Sequence, residues 1–154
     1  MKTKRYVFCS TSEEMTEQAG AALAPFANGI ICIEGDLGSG KTILVKGLAK
    51  GLGINDYITS PTFNIINIYE EDGFVFNHMD AYRMTEPSML HDIGFEEMVE
   101  SADVTAIEWA DLIMDEIGGY DIRIRMSRGS SDNKRLIMVE APCGIIDEYA
   151  GRVR

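Results

Sequence analysis

The chain is poor in positive charge. Its 154 residues carry 14 Lys and Arg against 25 Asp and Glu, a formal net charge of −11. A protein that grips a phosphodiester backbone does so chiefly with Lys and Arg. The imbalance argues against strong direct nucleic-acid binding and against docking on an acidic membrane surface. Cysteine is scarce too. Cys9, Cys32 and Cys143 are widely spaced, and no C-x-x-C pair occurs. That argues against a disulfide framework or a zinc site, and the expectation is three reduced thiols in the core of a cytoplasmic protein. Long apolar runs are missing, and none approaches the roughly 20 residues of a membrane-spanning helix. The opening "MKTKRYVFCSTSEEMTE" starts basic, but its apolar run stops after four residues, short of a secretory signal. Linkers, repeats and low-complexity segments are also lacking. The expectation is one domain over residues 1–154, long enough for a real core.

What is present alternates between strand and helix signals. Lys4 to Cys9 reads as a short strand, followed by a helix in which Thr11 and Glu14 fit a capping box and Pro25 marks the far end. Gly20 inside that helix costs roughly 1 kcal/mol relative to Ala. "GIICIE", Gly29 to Glu34, is a continuous apolar run of strand length, as expected of a central strand covered on both faces. Ile43, Leu44, Leu48, Ala49 and Leu52 then recur at helical spacing. "TSPTFNIINIYEEDGFVFNHMD" has the alternation and the Asp72-Gly73 turn of a hairpin. Two short helices, a buried strand "DVTAIE", a short helix capped by Asp111 and a second hairpin, "DIRIRMSR" to "KRLIMVEA", complete the order. This pattern predicts an α/β fold: a three-layer P-loop NTPase-like domain with a central, mostly parallel sheet and antiparallel hairpin additions.

The stretch Gly35-Asp-Leu-Gly-Ser-Gly-Lys41-Thr42 sits between the apolar strand and the helix. That is the setting a phosphate loop requires. Glycines let backbone N–H groups converge on one concavity, and the helix N-terminus adds roughly half a positive charge. Gly38, Ser39, Gly40, Lys41 and Thr42 are the predicted nucleotide-binding residues, with Lys41 on the β- and γ-phosphates and the Thr42 hydroxyl on Mg²⁺. Guanine readers carry Asn-Lys-x-Asp; here Asn133-Lys134 is followed by Arg135 and Leu136, which favours ATP. A phosphate loop also needs a carboxylate near the metal, at a neighbouring strand end. Asp80 and Glu108 are the candidates, to ligate Mg²⁺ or to hold the attacking water. Thr59, Ser60 and Thr62 offer hydroxyls in a switch-like loop. His78 reads as a packed strand side chain. No residue stands out as an arginine finger.

"GDLGSGKT", "TSPTFNI", "HMDAYR", "IGFEE" and "IEWAD" together resemble the TsaE (YjeE) family, over nearly the whole chain to about Glu140. The resemblance implies a small cytoplasmic ATPase that binds ATP or ADP with Mg²⁺ and works with two partner proteins, TsaB and TsaD. In that family a separate enzyme makes the threonylcarbamoyl group. TsaD transfers it to N6 of adenosine 37 in tRNAs reading ANN codons, and ATP hydrolysis by TsaE supports turnover of the complex. The tRNA is thus an indirect partner. Carried onto this chain, Thr42 and Glu108 match the Mg²⁺-associated positions and Lys41 the phosphate-binding lysine. Asp80 matches the acid of the H-x-D-x-Y-R segment and Thr62 falls in the switch motif. Thr11 matches a nucleotide-contacting region, and the loop Arg128 to Arg135 is implied to lie near the base. Ala81 and Asp111 depart from the usual Leu and Glu, away from the proposed chemistry. Two other readings share the loop: a small-molecule kinase, and a nucleotide-binding interaction module without significant hydrolysis.

Overall fold

The computed structural model describes residues 2–61, 65–84, 86 and 88–153. The described strands form one seven-stranded sheet in the order β1-β7-β6-β2-β5-β4-β3. They are β1 (Thr3–Ser10), β2 (Gly29–Gly35), β3 (Ile66–Glu71), β4 (Phe74–Asp80), β5 (Val104–Glu108), β6 (Ile122–Arg128) and β7 (Arg135–Pro142). β6, β2, β5 and β4 are mutually parallel; β3, β7 and β1 add antiparallel to the flanks. The helices are α1 (Glu13–Ala21), α2 (Lys41–Gly51), α3 (Ser88–Asp92), α4 (Phe95–Ser101), α5 (Met114–Ile117) and α6 (Cys143–Val153). Among the described residues no helix is long and apolar enough to cross a membrane.

Two hydrophobic clusters make the three layers. α1, α2 and α6 cover one face, where Leu44, Leu48 and Tyr149 meet Ile31, Ile33, Ile124 and Val139. α3, α4 and α5 cover the other, where Leu90, Phe95 and Ile117 meet Cys32, Met79 and Ile107. Because β2 and β5 feed both clusters, Ile31 to Glu34 of β2 and every residue of β5 are buried, without the alternation of a half-exposed strand. β6 and β7 give buried residues only to the first cluster. They alternate accordingly: Ile122, Ile124 and Met126 face inward, while Arg123 and Arg125 face outward and both bond Glu34.

α1 and α2 cross closely. A Cβ at Gly47 would lie 1.8 Å from the carbonyl oxygen of Glu17, and one at Gly20 would lie 2.0 Å from that of Leu44. The helix interior thus tolerates Gly20 because the crossing has no room for a methyl group.

Three local expectations need correction. The N-cap of α1 is Ser12, not Thr11: the Ser12 hydroxyl accepts from the Met15 N–H at 3.1 Å. The Thr11 hydroxyl instead donates to Met15 Sδ. Ser12 is the residue in extended backbone geometry immediately before the helix, which the cap requires. Asp111 caps nothing. It lies inside a short 3-10 helix, Ala110–Ile113, whose N-cap position is Trp109, and no side chain bonds the helix end there. Of the cysteines only Cys32 is a core residue, and burial pushes its thiol up to about 12. Cys9 is exposed on β1, and Cys143 is half-buried at the start of α6. The C-terminal segment is α6, tied to α1 by the Tyr149 hydroxyl donating to the Ala19 carbonyl.

Candidate active site

The parallel strands end together, and their carboxyl ends gather the polar groups, as expected of an open α/β sheet. Register aligns Asp80 on β4 with Glu108 on β5, and Ile33 on β2 with the same Glu108. The chain leaving β2 forms the loop that starts α2. Gly38 (φ +76) and Gly40 (φ +99) hold left-handed geometry that a side chain would strain. The loop, α2, β4, β5 and the β6–β7 hairpin enclose a cleft of about 420 Å³. Gly38, Gly40, Lys41, Thr42, Asp80 and Glu108 all line it.

Within the cleft the predicted groups are joined. The Thr42 hydroxyl donates to both oxygens of Glu108, at 3.0 and 3.1 Å. Lys41 Nζ donates to the carbonyls of Gly35 (2.6 Å) and Asp36 (2.9 Å), and lies 4.2 Å from the centre of the Trp109 ring. Burial lowers the Lys41 pKa, against the opposing pull of Glu108 and Asp80. Asp80 accepts from the Tyr82 N–H at 2.9 Å and from the Ser60 hydroxyl at 3.3 Å. Burial raises its pKa despite those donors. Ser39 is buried, with its hydroxyl 3.4 Å from Lys41 Nζ. Ser60 therefore reaches the site. Thr59 is exposed and gives its carbonyl to Asn67. Thr62 lies outside the described residues. Thr11 is exposed at the start of α1, whereas its neighbour Glu13 lines the cleft.

Sequence reasoning passed over two contributors. His78, read as packing, is fully buried on β4, and its Nε2 lies 2.5 Å from Glu108 Oε2. The signal was its place two residues before Asp80, which puts both on the same strand face. Trp109 follows Glu108 at φ +58, rare for a residue with a side chain, and its ring packs tilted at 41° against Tyr82, with centroids 4.8 Å apart. That strained backbone delivers the indole onto Lys41.

The donor set suits Mg²⁺. Among the described residues no group of three or more His, Cys, Asp or Glu forms a metal cage. Mg²⁺ does not need one; it is commonly held by one or two protein oxygens, substrate phosphates and water. The Thr42 hydroxyl and the Glu108 carboxylate, already within hydrogen-bond distance of each other, are hard oxygen donors of that kind.

A family model described as threonylcarbamoyl adenosine biosynthesis protein TsaE matches residues 10–137. The chain belongs to the TsaE family. It is 35% identical over 135 residues to the tRNA threonylcarbamoyladenosine biosynthesis protein TsaE of Bacillus subtilis, covering 86% of this chain and 84% of that one. Against the protein of the same name in Rickettsia bellii it is 35% identical over 141 residues, with 90% and 92% coverage. The crystal structure of Bacillus subtilis YdiB superposes with a TM-score of 0.75 at 30% identity, covering 99% of this chain and 96% of that one. The P-loop NTPase-like α/β fold expected from sequence is thus the fold found. Four of the motifs behind the TsaE resemblance give residues to the cleft, through Gly38, Lys41, Thr42, Ser60, Asp80, Glu108 and Trp109, whereas the IGFEE segment lies outside it.

Proposed function

We propose that this protein is a Mg²⁺-dependent ATPase subunit for threonylcarbamoyl modification of adenosine 37 in tRNAs reading ANN codons, supporting turnover of a TsaB–TsaD complex. One observation carries the nucleotide chemistry: the Thr42–Glu108 pair stands in one cleft with Lys41 and Asp80, at the N-terminus of α2. Family membership supports the biological setting.

The loop amides and the positive end of α2 hold the phosphate chain of ATP. Lys41 exchanges its two loop carbonyls for phosphate oxygens and neutralises charge there. Thr42 and Glu108 would hold the metal, and the bound ion would supply Lewis-acid stabilisation of the phosphates. Asp80 orients a water whose oxygen attacks the γ-phosphorus as the bond to the β-γ bridging oxygen breaks. Its carboxylate takes the proton that the water releases. ADP and phosphate are the products. The net charge of −11 fits a subunit that handles nucleotide while partners hold the tRNA.

The test is ATP hydrolysis by the purified chain, alone and with TsaB, TsaD and tRNA. Hydrolysis is expected to be slow alone and stimulated by the partners. Glu108→Gln should lower the stimulated rate at least roughly a hundredfold, the scale of a lost charge-stabilising group. Stimulated hydrolysis that survives Glu108→Gln would remove the role given to that carboxylate. Absence of any stimulation would remove the partner-dependent model.

A further inference from the structure

We propose that Arg128 is a second phosphate-contacting cation, reaching the nucleotide from the β6–β7 hairpin opposite Lys41. The inference rests on the nucleotide-binding reading above and adds a residue to that site. β6 ends at Arg128, which pairs directly across the ladder with Arg135, the first residue of β7. Like charges directly opposite on antiparallel strands repel. Among the described residues no carboxylate forms an ion pair with either arginine. Among the described residues, Arg5 bonds Glu140, and Arg123 and Arg125 share Glu34. Arg135 gives Nη1 to the carbonyls of Asp132 (2.6 Å) and Lys134 (2.9 Å) within its own hairpin loop. Arg128 has no hydrogen bond or ion pair among the described residues. In a chain with 25 acidic residues, an arginine kept without one needs another explanation.

Position supplies it. A Cβ at Gly38 would lie 2.3 Å from Arg128 Nη2, 3.3 Å from Cζ and 3.4 Å from Nε. The guanidinium therefore lies edge-on over Gly38, three residues before Lys41 in the loop. Arg128 and Arg135 line the same cleft as Lys41, Thr42 and Glu108. Lys41 approaches that cleft from the α2 side of the loop, Arg128 from the hairpin side. A phosphate chain seated on the loop amides lies between the two cations. A planar guanidinium with five donors matches adjacent phosphate oxygens better than an ammonium does. The uncompensated pair also sets a local positive field that offsets the repulsion between an acidic protein and an anionic ligand. Gly38 then has two reasons to be glycine: its left-handed backbone, and the space the guanidinium occupies.

The resemblance implies the Arg128–Arg135 loop for the base; the geometry assigns Arg128 itself to the phosphates. Affinities of the full-length chain for MgATP, MgADP and AMP, read by displacement of a fluorescent ADP analogue, separate these positions. Arg128→Ala should weaken MgATP and MgADP roughly tenfold, the scale of a lost charge-assisted hydrogen bond, and leave AMP within about twofold. Arg128→Lys should recover part of the loss, having the charge without the fork. Equal weakening of AMP would put Arg128 at the nucleoside and overturn the proposal. Unchanged affinity for all three would overturn it too. If the wild-type chain does not displace the analogue with MgATP, the nucleotide-binding reading itself falls. Arg128 is exposed, and retained AMP binding reports an intact fold in the variant.

Discussion

His78 shows what a single residue contributes beyond its type. It has no exposed surface, its Nε2 meets Glu108, and its Nδ1 is the only buried side-chain nitrogen or oxygen among the described residues without a partner. A histidine in a strand is read from sequence as filling, because nothing local reveals that Glu108 will come alongside from 30 residues away. His78→Phe keeps the volume and removes the nitrogen. If Glu108 holds Mg²⁺ as proposed, we expect a roughly tenfold higher Mg²⁺ requirement or roughly tenfold slower hydrolysis, the scale of losing a group that orients a ligand carboxylate. Wild-type rates across a Mg²⁺ titration would show that Glu108 needs no such support. That Asp80 and Glu108 would come together beside the glycine-rich loop was legible, since each is an acid at the end of a largely apolar strand. The cap of α1 was legible only to within one residue, because Thr11 and Ser12 are chemically interchangeable as caps and backbone geometry chooses between them.

At the scale of elements, packing outranks intrinsic preference. Helix propensity alone makes Gly47→Ala stabilising by about 1 kcal/mol. The crossing makes it destabilising, because the new methyl group would meet the Glu17 carbonyl and not a movable side-chain tip. We expect a net loss of about 2 kcal/mol, within the range for overpacking, measured by urea denaturation. A gain in stability would refute the close crossing. The sheet edge offers a pH test. Glu140 on β7 faces Arg5 on β1, whose hydrogen bond holds the Glu140 carboxyl below its usual range; Tyr120 adds to this and burial opposes it. A carboxyl depressed in the folded state stabilises above its unfolded pKa, and the benefit fades as pH falls through the folded pKa. Glu140→Gln should therefore lose on the order of 0.5–1 kcal/mol at pH 7, the surface-pair scale set by the exposed Arg5. That gap should shrink as pH drops below about 4. A gap independent of pH would deny the ionic contribution. The alternation of β6 and β7 was visible in sequence. Which hairpin face would stay open was not, since that depends on how far α3, α4 and α5 extend over the sheet.

For the whole molecule, ligand and fold should stabilise each other, because the cleft is assembled from α2, β4, β5 and the β6–β7 hairpin together. MgATP at about a hundred times its Kd would add about 2.7 kcal/mol, or roughly 5–10 °C in Tm for a chain of this size. Chelating the metal should reduce that shift, while Tm of the protein without nucleotide stays the same. No shift with MgATP would contradict a preformed nucleotide cleft. By itself the sequence determined the order of elements, the double-faced burial of the central strands, the glycine-rich turn into α2 and the two acids at neighbouring strand ends. Those features are written in local periodicity, glycine placement and strand-end chemistry, all of which act over a few residues. Only the tertiary structure decided that His78 serves Glu108, that Trp109 covers Lys41, and that Arg128 lies over Gly38. Each of these joins segments distant in the chain, through strand register and hairpin placement that no local pattern encodes.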